Sequence, residues 1–325
     1  MRRFPVAVIG GAWSGERVIS LRSAQGAAAA LKERGWPVDA IDLWPDHGAP
    51  RPATPKGFSA VRLSALLPRL RRRAGAVALL ALHGPGGEDG RLQGMLDLGG
   101  VRYTGSGALA SGLAMDKALA KQLMAAAGVP VPGGLALAKG AQPGAVKFPA
   151  VVKPVAQGSA LGVTIAHNRA ELSKGLALAW KLDRVALVED FIDGRELTVG
   201  VLGGRALPVV EILPQHAFYD FHSKYAPGGS KHVCPAALPA AVTRRAQAAA
   251  LRAHQALGCR GYSRVDVMLD RRGRCWVLEV NTLPGLTGVS LLPDAARAAG
   301  LGYGALLEAM LAESLKEPAW PSTKA

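Results

Sequence analysis

Residues 278–290 read LEVNTLPGLTGVS and residues 263–270 read SRVDVMLD. Both are apolar runs broken by polar residues at alternate positions, as in strands with one covered face. Glu279 and Asn281 are two apart, so an extended strand points both side chains to one face, and Asp266 on an antiparallel neighbour can face them. Arg271, Arg272 and Gly273 lie between the runs and supply a hairpin turn. Three hard oxygen donors on one face suit Mg²⁺, which keeps several waters and shares phosphate oxygens instead of requiring a full protein cage. The same residues also fit the wet face of a plain hairpin, with Asn281 opening a turn toward Pro284 and Gly285. On these residues alone the two readings stand side by side.

Towards the amino terminus, strand and helix alternate. Phe4 to Gly11 is a short apolar run that reads as a buried strand, Ser20 to Arg34 is a helical stretch closed by Gly35, and VDAIDL (38–43) is a second strand. An interrupted helix, LSALLPRLRRR, leads to a third strand, AVALLALHG (76–84). This is an open α/β sheet whose ligand edge lies near Gly10 and His83. A dinucleotide-binding fingerprint fails on spacing, because Ala12 stands where its second glycine is needed. Beyond the third strand, HGPGGEDGRLQGMLDLGGVRYTGSG (83–107) carries five glycines from Gly84 to Gly94, which permit close backbone approach. Met115 to Ala127 reads as a helix stopped by Gly128, Pro130 and Pro132. Lys117 falls in its first turn, where the dipole disfavours a cation, and so points to an anionic partner or to a solvated helix start.

A Pro/Gly/Ala connection over 130–149 opens a second unit. PAVVKPVAQGSALGVTI (149–165) places Lys153 at a strand end before a small-residue turn from Gly158 to Gly162. Such a turn exposes backbone N–H groups that cradle phosphates, although the P-loop pattern itself is missing. A helix over Glu171 to Leu182 precedes VALVEDFIDGRELTVGVLGG (185–204), where Glu189 ends a strand and Glu196 follows across the Asp193–Gly194 turn. QHAFYDFHSKYAPGGSKHVC (215–234) is too polar for a core yet dense in aromatics, the composition of a closing loop over 214–235. An Ala-rich helix (240–257), the hairpin and a helical region to about Lys316 complete the chain.

The 325 residues suggest two or three domains. No apolar run reaches the ~18 residues a membrane span needs, and the amino-terminal run lacks a small-x-small cleavage site. Three widely spaced cysteines indicate neither a disulfide framework nor a zinc site and fit a reducing cytoplasm. The net charge is +15, from 39 Lys and Arg against 24 Asp and Glu, but the cations are scattered and aromatics are only 5%. Base-stacking surfaces are hard to build from that pattern, so nucleic acid is set aside as a partner.

Five ordered motifs resemble those of the D-alanine–D-alanine ligases in the ATP-grasp superfamily. They are HGPGGEDG with YTGSG and MDK behind it, VKP followed by GSALG, VEDFIDGRE, FYDFHSKY (218–225), and the hairpin ending LEVN. The resemblance runs from Gly10 to about Leu311. It implies an α/β (α+β) ATP-grasp fold with an N-terminal open parallel α/β domain (1–105), a small central domain (106–188) and a C-terminal catalytic domain (189–325). It implies ATP-dependent joining of two D-alanines through D-alanyl phosphate, for peptidoglycan synthesis, by a cytoplasmic homodimer with no nucleic-acid or membrane partner. In that likeness Lys117, Lys153, Gly158, Ser159, Glu189, Glu196, Phe218 and Lys224 serve ATP, and Asp266, Glu279 and Asn281 hold two Mg²⁺ or Mn²⁺ ions. Glu16, His83, Ser290 and Leu291 serve the substrates, while Arg264 and the backbone N–H near Gly285 face the oxyanion. Glu16, Ser159 and Tyr225 match a hydrogen-bonded set tied to choosing an amine over D-lactate. The family usually has two adjacent hydroxyl residues at 159–160; here Ala160 removes one hydroxyl and keeps its N–H. Other ATP-grasp carboxylate–amine ligases and depsipeptide-forming ligases are the rivals within the fold.

Overall fold

The computed structural model describes residues 3–11, 15–43, 67–68, 70, 76–214 and 230–316. Strands β1 (Val6–Gly10), β2 (Val38–Asp42), β3 (Val77–Leu80) and β4 (Arg102–Tyr103) form a parallel sheet in the order β2-β1-β3-β4. β1 and β3 are buried along their whole length, which is why they read as unbroken apolar runs. Helix α1 (Arg17–Glu33) covers the sheet with Ala24, Ala27, Ala28 and Leu31. It lies so close that a Cβ on Gly10 would stand 2.5 Å from that of Ala24. The Ser20 hydroxyl accepts from the Gly11 N–H and donates to the Ala81 carbonyl, tying the end of β1 to α1 and to the segment leading to His83.

After α2 (Arg91–Leu98), the helix expected over 115–127 begins two residues later, at Lys117. Met115 ends α3 (Ala108–Met115), Asp116 turns extended, and α4 (Lys117–Ala126) begins afresh. Asp116 Oδ1 accepts from the N–H groups of Ala118 and Leu119, each at 3.0 Å, and the Lys117 N–H donates to the distant Val155 carbonyl, so Asp116 caps a new helix instead of continuing the old one.

Strands β5 (Gly134–Ala138), β6 (Ala150–Pro154), β7 (Thr164–Ala166) and β8 (Val185–Asp190) make a second, antiparallel sheet in the order β5-β8-β6-β7. Helix α5 (Arg169–Leu182) packs on it and starts two residues before expectation, because Asn168 caps it by accepting from the Glu171 N–H. The third sheet is antiparallel, in the order β11-β10-β9-β12-β13, from β9 (Gly194–Leu202), β10 (Arg205–Pro214), β11 (Ser230–Val233), β12 (Tyr262–Asp270) and β13 (Cys275–Asn281). One face is covered by α6 (Ala240–Ala256) and by Ala120 and Met124 of α4. Its other face shares a core with the first sheet, α7 (Leu291–Ala298) and α8 (Tyr303–Ser314).

In the β12–β13 hairpin, Arg264 lies opposite Asn281, Val265 opposite Val280 and Asp266 opposite Glu279; the register then slips and Val267 faces Val277. Leu278 is the extra residue of a bulge. An unbroken strand would put Val277 on the same face as Glu279. The slip separates them: Val277 and Val280 are buried under α6, whereas Leu278, Glu279 and Asn281 are only partly covered.

The Asp116 cap is measurable. Asp116→Ala should lower the unfolding free energy by about 1 kcal/mol, seen as an earlier urea midpoint, and Asp116→Asn, which keeps the acceptor, should lose less. An unchanged midpoint in the alanine variant would show that the cap contributes nothing.

Candidate active site

Two cavities meet at the hairpin. The first, of about 460 Å³, opens between the second and third sheets and is lined by Lys117, Lys153, Glu189, Glu196, Asp266 and Glu279. Val151, Ile165, Met268 and Leu278 give it apolar walls. The second, of about 400 Å³, lies toward the first sheet and is lined by Glu16, His83, Glu88, Ser159, Arg264 and Asn281, with Gly285, Ser290 and Leu291 at its far side. Glu279 lines both cavities. The expected site residues that are described thus come together, except that Gly158 and Ser159, both expected on the ATP side, line the second cavity. Phe218, Lys224 and Tyr225 lie outside the described residues.

Asp266 is held from several sides. Arg264 grips it with Nε and Nη2 at 2.9 and 2.8 Å, the Thr198 hydroxyl donates at 2.7 Å, and Asn281 Nδ2 at 3.2 Å. Lys117 donates to the Gln157 carbonyl at 2.6 Å and stands 3.4 Å from Glu279. Among the described residues no three His, Cys, Asp or Glu side chains gather as a metal cluster. The group here is two carboxylates and one amide, an all-oxygen set that fits a hard cation such as Mg²⁺. A carboxylate has about four lone-pair sites and Asp266 accepts four hydrogen bonds, so it ligates a cation by exchanging one of them, the longest being that from Asn281.

The back of the first cavity holds a buried ion triad. Glu189, 3% exposed, places its two oxygens 2.5 Å from Lys121 and 2.5 Å from Lys153. Burial alone would raise the Glu189 carboxyl; the two lysines outweigh it and leave the group below the usual carboxylate range.

In the second cavity the Ser159 hydroxyl donates to Glu16, linking the glycine turn to the start of α1. Ser159 and Ala160 both have positive φ, +53° and +56°, a conformation that costs a side-chain-bearing residue energy and recurs at functional turns. His83 is buried, with Nδ1 3.2 Å from the Leu283 carbonyl and Nε2 3.0 Å from the Ser23 hydroxyl. A carbonyl only accepts, so Nδ1 carries the proton and Nε2 accepts from Ser23. Burial lowers this histidine's pKa and favours that neutral ring. A Cβ on Gly285 would stand 2.9 Å from Ser290 Oγ, so a side chain there would displace that hydroxyl. Ser290 precedes α7 but turns its hydroxyl to Thr287, at 2.7 Å, and does not cap the helix.

Four contributors had no role in the sequence reading. Lys121 follows Lys117 by four residues, a spacing that puts both on one helix face and was available as a signal. Leu278 breaks the alternation of β13, whereas Met268 looks like any strand residue. Thr198 meets Asp266 only through the pairing of β9 with β12, which local sequence does not specify.

Comparison with known proteins gives a consistent picture. The family described as "D-ala D-ala ligase C-terminus" matches residues 137–312. A D-alanine--D-alanine ligase of Gluconobacter oxydans is 45% identical over 315 residues, 95% of this chain and 99% of that relative. Another from Geotalea uraniireducens is 42% identical over 311 residues, 94% of each chain. The crystal structure of D-alanine--D-alanine ligase from Bacillus anthracis complexed with ATP superposes with a TM-score of 0.80 at 32% identity, covering 96% of this chain and 98% of that one.

Glu88 gives the site a pH signature. Burial, with the nearby Glu16 carboxylate, pushes its pKa from the ordinary 4.5 up to about 8, while its Oε2 accepts from the Gly84 N–H. Between those values the folded protein holds a proton that the unfolded chain releases, so stability falls as pH rises through that window. Glu88→Gln removes the titration. Its urea midpoint relative to the parent should rise between pH 4 and pH 8 in EDTA without nucleotide; a constant difference would mean that Glu88 titrates normally.

Proposed function

This chain belongs to the D-alanine–D-alanine ligase family, and on that premise we propose that the cavity between the second and third sheets takes ATP while the cavity beyond Glu279 takes two D-alanines. The enzyme is an ATP-dependent ligase of ATP-grasp fold that joins D-alanine to D-alanine. The observation that carries the assignment of cavities is Glu279, the one carboxylate common to both among the described residues, with lysines on one side of it and Arg264 on the other. A phosphoryl group passing from nucleotide to amino acid has to cross at that residue.

A carboxylate is a poor electrophile and needs activation. An oxygen of the first D-alanine's carboxylate bonds to the γ-phosphorus, the bond to ADP breaks, and D-alanyl phosphate forms. The amine of the second D-alanine then attacks the acyl carbon and gives up a proton, and the C–O bond to phosphate breaks to leave D-alanyl-D-alanine. Phosphoryl transfer asks the protein mainly for positioning and charge neutralisation. Lys117 and Lys153 supply cations, Val151, Ile165, Met268 and Leu278 enclose the base, and Glu196 serves the ribose. Asp266, Glu279 and Asn281 would hold the divalent ions, whose positive charge offsets that of the phosphate oxygens. Asp266 locks the Arg264 guanidinium in place, so it is preorganised for the oxyanion together with the N–H near Gly285. Ser290 and the start of α7 at Leu291 receive the second carboxylate. Glu16, steadied by Ser159, receives the first ammonium group.

In this reading the closing loop expected over 214–235, whose ends overlap β10 and β11, brings Phe218, Lys224 and Tyr225 over the two cavities, and Tyr225 joins the Glu16–Ser159 pair. The units 1–105, 106–188 and 189–325 each centre on one sheet, with the second seam drawn better after Asp190, where β8 ends. Among the described residues no helix is long and apolar enough to cross a membrane. From the family likeness we infer a cytoplasmic homodimer, and light scattering on the purified protein tests the dimer.

Offered ATP with D-alanine, L-alanine, D-serine and D-lactate in competition at neutral pH, the enzyme should make D-alanyl-D-alanine and release one phosphate per dipeptide. Dominant D-alanyl-D-lactate would overturn the assignment. Glu279→Gln should cost at least ~10²-fold in rate with the circular dichroism spectrum unchanged, and near-normal turnover would remove Glu279 from the centre of the site.

A further inference from the structure

We propose that Lys121 is a positioning residue for phosphate binding: it takes up the charge of Glu189 so that the Lys153 ammonium stays available to the nucleotide. The inference rests on ATP occupying the first cavity. Lys121 sits one turn beyond Lys117 on the same face of α4, with a side chain 8% exposed. Lys117 and Lys153 line the cavity; Lys121 is not among the described residues that do. It ends instead against Glu189 Oε1, while Lys153 meets Oε2, each at 2.5 Å.

Two lysines and one glutamate leave the triad with one net positive charge. Without Lys121 the remaining pair is neutral, and in a poorly solvated pocket a carboxylate touching Lys153 cancels much of the attraction that ammonium offers a phosphate. Burying an ammonium is itself costly, and burial pushes Lys121 down to about 8 against the pull of Glu189. A buried ion pair is often no more stabilising than apolar side chains of the same volume, so stability alone does not call for a lysine here. Electrostatic balance at the phosphate site does.

Titration calorimetry with ADP and with adenosine separates this role from a structural one, because only ADP carries phosphate. Lys121→Met should reduce the preference for ADP over adenosine about tenfold, as expected for a buried charge left uncompensated, and Lys121→Arg should retain it. The double variant Lys121→Met with Glu189→Gln leaves Lys153 as the only charge of the triad, so its preference should return to the parental value even if Glu189 also touches the base. An unchanged preference in Lys121→Met, or a double variant that stays low, would overturn the proposal. Should Lys121→Met fail to fold, Lys121→Gln, which keeps a polar side chain of similar reach without the charge, takes its place under the same criterion. A parent protein that binds neither ligand would instead refute the placing of ATP.

Discussion

The candidate active site depends on one slipped register. Asp266 can face Glu279 only while β12 and β13 pair as they do, and the bulge at Leu278 lets the same short strand serve two surfaces of opposite character. On one side Val277 and Val280 join Val265 and Val267 in a dry core; on the other Glu279 and Asn281 join Arg264 and Asp266 in a charged cleft. A strand pairing shifted by one residue would bury the carboxylates under α6, where they would have no counter-charge. The hydrophobic demand of the core therefore enforces the geometry of the polar face.

From that hairpin the charges spread in a fixed alternation. Arg264 balances Asp266, Lys117 approaches Glu279, and Glu189 sits between Lys121 and Lys153. Arg264 and Asp266 share β12, whereas the other pairs join different elements, so the cleft is preorganised by contacts among α4, β6, β8 and β13. Such a site binds highly charged ligands without first having to collect its own side chains.

Much of this was legible in the chain itself. The unbroken apolar runs of β1 and β3 announce a covered parallel sheet, and the two-residue spacing of Glu279 and Asn281 announces a shared face. The ordered motifs then place Lys153, Glu189 and Arg264 around one cleft. What was not legible depends on pairing between distant segments. The split between α3 and α4 turns on whether Asp116 continues a helix or caps one, a choice of a few tenths to 2 kcal/mol that tertiary packing decides. The contact of Thr198 with Asp266 spans 68 residues. The partnership of Lys121 with Glu189 spans as many and unites a helix with a strand of another sheet. Helical spacing marks the lysine's face but not what lies across from it.

The first sheet does not complete its own core. Leu306, Leu307, Met310 and Leu311 of α8 and Leu291, Leu292, Ala295 and Ala296 of α7 belong to the same apolar cluster as β1 and β3. Glu308 binds Arg34 and Trp36 at the end of α1, and Arg102 donates to the carbonyls of Ser314 and Leu315. During synthesis the opening hundred residues therefore leave the ribosome with an apolar face whose cover is still two hundred residues away. That unit has to wait, partly exposed, until the last helices arrive, a demanding order of events in which aggregation competes with docking. The same late segment carries Ser290 and Leu291, so a chain halted short of α7 has neither a closed first core nor a complete wall at the second cavity.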